Sequence, residues 1–206
     1  MWAMGGSDSE HEAEWRRRIK PDNELPASVV LDVVLAETPE VVISLSAAEV
    51  YRNGVDLRVD VRTRGDVIAY AAGGGFIGDE VLIGVEYADG RRATNLPMWP
   101  PPAVPSPTEA QLATGGGSGG QRAADMRLYL TPLPPPGTLT MVCAWPQRGI
   151  PERVTVIDAE PLREAGGRAR ELWPWEPRGE QRPTEPPAAP PGGWFEETQH
   201  RSRLRQ

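Results

Sequence analysis

The chain has 206 residues, 29 acidic and 22 basic, for a net charge of −7, and carries 23 prolines and 22 glycines. That length supports one domain with a real hydrophobic core plus appendages, and no apolar run approaches the roughly 18 residues of a membrane span. Between Glu24 and Glu160 there are 17 acidic and 10 basic side chains, an acidic body that makes nucleic acid and anionic membrane surfaces poor partners.

Cys143 is the only cysteine, which excludes an intrachain disulfide and suits a reducing compartment. Met1 to Lys20 is mostly polar and lacks the apolar stretch of a signal peptide. A cytoplasmic location is the expectation.

Ser9 followed by Glu12 has the spacing of a capping box, and His11, Trp15 and Ile19 recur every four residues. Residues 9 to 19 therefore read as a short amphipathic helix ended by Pro21, within a flexible segment spanning 1–23. The domain is expected over 24–175. Its first elements are β-branched runs, Ser28 to Glu37 and Val41 to Leu45, separated by Thr38-Pro39-Glu40.

Asn53-Gly54 is the preferred pair for a type I′ turn between Ala48–Arg52 and Val55–Thr63. A two-residue loop would set Val50 opposite Leu57 and Glu49 opposite Arg58. Val55, Val59 and Val61 then share the core face, leaving Asp56, Asp60 and Arg62 on a solvated one. Asp89-Gly90 signals a second hairpin, with Val81, Ile83, Val85 and Tyr87 on one face.

Residues 97–120 contain Trp99-Pro100-Pro101-Pro102 and a run of glycines from Gly115 to Gly120, without periodicity of either kind. They read as a long mobile loop inserted in the domain. Strands resume at Asp125–Thr131, with Met126, Leu128 and Leu130 alternating, and at Thr138–Trp145, with Leu139, Met141, Cys143 and Trp145 alternating. A last strand, Arg153–Ile157, precedes a weak helix that Asp158 would cap and Gly166-Gly167 would weaken. Residues 176–206 are proline-rich and polar, the composition of a disordered tail.

Eight or so short strands with regular turn signals predict an all-β fold of two packed antiparallel sheets, a β-sandwich with immunoglobulin-like, Greek-key connections. A closed or half-open barrel is the alternative.

Gly73, Gly75 and Gly78 match the spacing of a dinucleotide-binding loop, but Asp79 and Glu80 follow where a helix N-terminus would be needed to hold the pyrophosphate. A flexible loop is the better reading. Both histidines, His11 and His200, lie in the flanks, so the domain has no imidazole for a general base, a nucleophile pair or a metal site. Cys143 keeps the company of buried apolar residues rather than of groups that would activate a thiolate. Asp56 with Asp60, and Asp79 with Glu80, are the carboxylate pairs available for acid–base or cation chemistry. The first lies about 13 Å apart along one strand and reads as a solvated face. No catalytic residue, cofactor or metal is assigned.

Three aromatic–proline or paired-aromatic segments remain. Trp99 lies in the inserted loop, Trp173 and Trp175 flank Pro174, and Trp194-Phe195 sits within the tail. Trp173 and Trp175 are expected to pin the chain end across the domain, because tryptophans are mostly buried. Trp99, Trp194 and Phe195 are the candidate partner-binding residues, since rigid rings bury much area at low ordering cost.

Glu24-Leu25-Pro26, Val50 to Val55, Leu82 to Arg92, Leu130 to Gly137 and Cys143-Ala144-Trp145-Pro146 together resemble a family of uncharacterised actinobacterial proteins. The resemblance covers roughly residues 24 to 170. It implies those domain limits and a bacterial cytosolic origin, and it carries no activity and no site residues.

The reading of function that follows is a non-enzymatic protein-interaction or accessory domain. A small-ligand or carbohydrate-binding sandwich is the alternative, and a hydrolase working with carboxylates alone is a second.

Overall fold

The computed structural model describes residues 19–65, 80–96 and 108–176. They form eleven strands and one α-helix: β1 (Glu24–Leu25), β2 (Ala27–Glu37), β3 (Val41–Val50), β4 (Val55–Thr63), β5 (Leu82–Tyr87), β6 (Arg92–Thr94), β7 (Gln111–Gly119), β8 (Ala123–Thr131), β9 (Thr138–Trp145), β10 (Ile150–Asp158), α1 (Glu160–Arg168) and β11 (Arg170–Glu171). The fold is all-β and every strand pair is antiparallel. One sheet has the order β2-β3-β4-β8-β7, a second β10-β9-β5-β6, and β1 with β11 makes a two-stranded ribbon.

The alternation of apolar residues accounts for the core. Ile43, Leu45, Leu57, Val59, Val61, Met126, Leu128 and Leu130 come from the first sheet. Ile83, Val85, Leu139, Met141, Cys143 and Trp145 come from the second, and all belong to one hydrophobic cluster. Leu162 and Ala165 of α1 join it. Burying such side chains stabilises by about 1.5–3 kcal/mol each relative to exposure, which explains why period-two patterning decides this fold.

The β3–β4 connection departs from a type I′ turn. Val50 pairs with Val55, Glu49 with Asp56 and Ala48 with Leu57, and the loop Tyr51–Gly54 is closed by the Tyr51 N–H donating to the Gly54 carbonyl at 2.9 Å. The register is thus two residues from the expected one, which preserves the faces but changes every partner. Neither Asn53 nor Gly54 has a positive φ. Gly54 is required for a different reason: a Cβ there would lie 2.6 Å from the Leu130 carbonyl oxygen and 2.8 Å from Tyr129 Oη.

The expected run Val41–Leu45 and the Ala48–Val50 part of the run Ala48–Arg52 belong to one strand, β3, with a bulge between Leu45 and Ala47. The Asp89-Gly90 hairpin is present as a three-residue loop, in which Gly90 has φ +85° and its N–H donates to the Tyr87 carbonyl. That is the type I turn with a left-handed glycine that loops of this length favour.

The mobile loop expected over 97–120 is corrected in its second part. Gln111–Gly119 is the edge strand β7, paired with β8 from Gln111↔Thr131 to Gly119↔Ala124. Glycine weakens strands by entropy, but here the backbone ladder and a buried Leu112 hold it. The helix expected after Asp158 forms in spite of its two glycines, because Leu162 and Ala165 dock on the core. Gly166 lies so close to Leu133 that a Cβ would come within 2.8 Å of it.

The flexible segment expected over 1–23 is corrected at its end, since Ile19–Asn23 are bonded to the domain. The Ile19 carbonyl accepts from Asn53 Nδ2 at 2.9 Å, and the Asn23 carbonyl accepts from the Leu172 N–H at 2.8 Å.

Candidate functional site

The outer face of β3, β4 and β8 carries the densest group of ionisable side chains. Glu49 and Asp56 are direct cross-strand partners, an arrangement that like charges make unfavourable. Two cations resolve it. Lys20 Nζ bonds Asp56 and lies 3.6 Å from Glu49, while Arg127 reaches Glu49 at 3.2 Å and Asp56 at 3.8 Å. Lys20 also sits over the Tyr51 ring, 5.3 Å from its centroid. Burial acts to lower the Lys20 ammonium, but hydrogen bonding and charge from Asp56 and Tyr51 outweigh it and raise the group above its ordinary range.

Tyr129 continues the cluster. Its ring meets that of Tyr51 edge-on, with centroids 6.1 Å apart, and its hydroxyl donates to Asn53 Oδ1 at 2.5 Å. Further along β4, Asp60 accepts from Ser46 Oγ and lies between Arg58 at 3.4 Å and Arg62 at 3.3 Å.

This geometry corrects the expectation of a solvated face. Asp56 is only 3% exposed and Asp60 is also buried, while Arg58 and Arg62 stay exposed. The short carboxylates of a central strand sit beneath longer arginine and lysine side chains, which keep their heads in water. Chemically the cluster is a charge-balanced lock. Both members of the Glu49–Asp56 pair are engaged by cations, although Asp56 Oδ1 is buried without a hydrogen bond of its own.

The other sequence candidates fall as follows. Trp99, Trp194, Phe195, His11, His200, Asp79 and the glycines from Gly73 to Gly78 lie outside the described residues. Glu80 accepts a hydrogen bond from Trp145 Nε1 at 3.3 Å, a part-buried structural tie. Cys143 is buried, and that burial pushes its thiol up to about 12. Such a thiol is un-ionised at neutral pH and is a poor nucleophile. Among the described residues, no three histidine, cysteine or carboxylate side chains gather as a metal would require.

Trp173 does not pin the chain end with its ring. The residue is 57% exposed, and the anchoring is done by backbone, with the Trp173 carbonyl accepting from Asn23 Nδ2 at 2.9 Å.

Sequence reasoning missed an exposed apolar pair; β2 carries another in Val30 and Val34. On β10, Val154 is 65% and Val156 59% exposed. They lie on the edge strand of the four-stranded sheet, beside the half-buried Val142 of β9. The signal was present in Arg153 to Ile157, whose β-branched character marks a strand equally well in a core or at an edge. Only the strand order shows which.

No family model, curated protein or solved structure matches the chain, so nothing found supports the membership of an actinobacterial family that residues 24 to 170 suggested. No helix among the described residues is long and apolar enough to cross a membrane.

Proposed function

We propose that this protein is a non-enzymatic interaction domain and that the free edge of β10 is a surface through which it binds another protein. The observation that carries the reading is the exposed pair Val154 and Val156 on an unpaired edge strand. Exposed single apolar residues are ordinary, whereas an apolar, β-branched, regular edge is a liability that proteins otherwise blunt. A surface with this character is retained where something covers it.

The two sheets are read as a β-sandwich with Greek-key crossovers. The chain passes between sheets at β4 to β5, β6 to β7 and β8 to β9, and both sheets feed one core, which supports that arrangement. A cytoplasmic location is favoured by the single cysteine, buried and unpaired. Carbohydrate binding through stacked rings has less support, because Tyr51, Tyr87, Tyr129 and Trp145 are buried, which leaves Trp173 as the largely exposed ring among the described residues. Hydrolysis by carboxylates alone has less too, because Glu49 and Asp56 are held by Lys20 and Arg127.

The test is a comparison of captured partners by the full chain, by Val154→Lys/Val156→Lys, and by a chain truncated after Trp175. Loss of a partner in the double variant, with the fold intact by circular dichroism, supports the β10 surface. Partner sets identical to those of the full chain remove β10 from consideration, and loss confined to the truncated chain moves the site to the tail with Trp194 and Phe195.

A further inference from the structure

The four strands that end the two large sheets are β2, β7, β10 and β6. Three of them are defended. β2 is broken by register shifts between Val30 and Val33 and between Val34 and Ala36, and Asp32 within it has φ 47°. β7 has four glycines among its nine residues and a shift between Thr114 and Gly117. β6 has three residues, and its Arg92 is bonded to Glu86 at 2.7 Å. Bulges, short length and charge are the devices that stop a sheet edge from recruiting another strand. β10 has a register shift only at its start, between Ile150 and Arg153, and carries its charges at Glu152, Arg153 and Asp158; from Arg153↔Cys143 to Asp158↔Thr138 it pairs with β9 without interruption.

The phase of the ladder shows which backbone groups are free. The Ala159 N–H donates to the Gly137 carbonyl at 2.9 Å, so Ile157, Thr155 and Arg153, at successive steps of two, share that bonding phase with β9. Hydrogen bonds in an antiparallel pair alternate, and the N–H and C=O of Val154, Val156 and Asp158 therefore point away from β9. Among the described residues, no other segment's backbone bonds them. The same residues carry the outward side chains, with Arg153 and Thr155 alternating to the other face.

Charge frames this apolar centre. Glu152 and Asp158 stand at the two ends, exposed and without an ion pair among the described residues. Asp158 only accepts from the Glu160 N–H, at 2.9 Å. The acids are six residues apart, at most about 20 Å along a strand, with Glu152 in the register shift that precedes Arg153.

Resting on the interaction reading above, we infer that the β10 edge takes an extended protein segment with the pattern basic, any, apolar, any, apolar, any, basic. This segment adds antiparallel to β10 as the fifth strand of that sheet. Its two apolar residues cover Val154 and Val156, and its two bases meet Glu152 and Asp158. Main-chain bonds supply affinity in such strand addition, and alternate side chains supply specificity. A second copy of this chain fits poorly. The two-fold pairing that sets Val154 opposite Val156 also sets Glu152 opposite Asp158 at both ends, two like-charge pairs that oppose association.

The experiment uses the full chain and fluorescent seven-residue peptides, Lys-Thr-Val-Thr-Val-Thr-Lys and the same peptide with glutamate at both ends, read by anisotropy at low salt. The expected result is about tenfold tighter binding of the lysine peptide. The order should reverse in Glu152→Lys/Asp158→Lys, whose substitutions are on exposed side chains. Backbone N-methylation of the peptide at alternate residues should abolish binding. Binding of both peptides with equal strength, and no reversal, overturns the charge pattern and leaves the interaction reading standing. Binding that survives N-methylation overturns strand addition, and binding that survives Val154→Lys/Val156→Lys overturns the β10 surface and the reading with it. Binding of neither peptide, or a dimer of the chain that Val154→Lys/Val156→Lys abolishes, also overturns the inference.

Discussion

Glu49 and Asp56 face each other across β3 and β4 as one cross-strand pair, and both are bound by the same two cations, Lys20 and Arg127. This shared neutralisation ties three parts of the chain together: the segment before β1, the β3–β4 hairpin and β8.

Removing one cation should expose the underlying repulsion. In Lys20→Met, Asp56 stays buried with Arg127 at 3.8 Å as its remaining cation. Because Lys20 itself is partly exposed, we expect a modest loss of about 1–2 kcal/mol in urea unfolding at neutral pH. Lys20→Met/Asp56→Asn should regain most of it. A double variant no more stable than Lys20→Met would show that Lys20 acts through its packing on Tyr51 instead.

Asp60 provides a second measure of buried charge. Asp60→Ala leaves the Ser46 hydroxyl without its acceptor and removes the anion between Arg58 and Arg62, for an expected cost of about 2–3 kcal/mol. Glu152→Ala, at an exposed and unpaired site, should change stability by less than about 0.5 kcal/mol. Equal midpoints for the two variants in thermal unfolding would show that the Asp60 network contributes nothing.

Stability should decline at alkaline pH. The Cys143 thiol is raised by burial from 9.0 to about 12, so between those values the unfolded chain releases this proton while the folded chain keeps it. The state holding fewer protons gains as pH rises, which lowers stability by up to about 1.4 kcal/mol per pH unit for one group. Tyr87 and Tyr129, raised by burial from 10.0, act in the same direction at higher pH. Lys20, raised overall, contributes fully below its ordinary 10.5 and loses that contribution above its folded value. Cys143→Ala should therefore flatten the fall in urea midpoint between pH 9 and 10, ahead of the other groups. An unchanged slope would show that the thiol ionises in the native protein.

Two glycines should respond in opposite ways to a methyl group. Gly54→Ala drives a Cβ against the Leu130 carbonyl and the Tyr129 hydroxyl, and should cost about 2–3 kcal/mol. Gly116→Ala meets no atom within 4 Å and should be neutral or gain up to about 1 kcal/mol through a stiffer unfolded chain. Similar unfolding midpoints for both would remove the close approach at Gly54 as a constraint.

Much of the fold was legible because apolar alternation reports burial directly. Val81, Ile83, Val85 and Tyr87, and Leu139, Met141, Cys143 and Trp145, form core faces as their spacing predicts. Turn details were less legible, since Asn53-Gly54 fits a type I′ loop locally while Tyr129 and Leu130, distant in sequence, impose a longer one. β7 was illegible for a different reason: a strand of glycines has no side-chain period, and its pairing is a property of the backbone. The charges of β4 were visible as residues but not as a buried network, because their partners Lys20 and Arg127 come from other segments. The β10 surface depends on strand order, which no local pattern records.

The glycine stretch of β7 gives the five-stranded sheet an unequal pair of margins. At Gly115, Gly116, Gly117 and Gly119 the strand presents only main chain, so hydrogen bonds fasten it to β8 without apolar side chains to anchor it. Such a seam opens at low free energy while the interior stays closed. Amide exchange in its glycine half should outpace that of β3, β4 and β9, making β7 a detachable hem on an otherwise firmly sewn fabric.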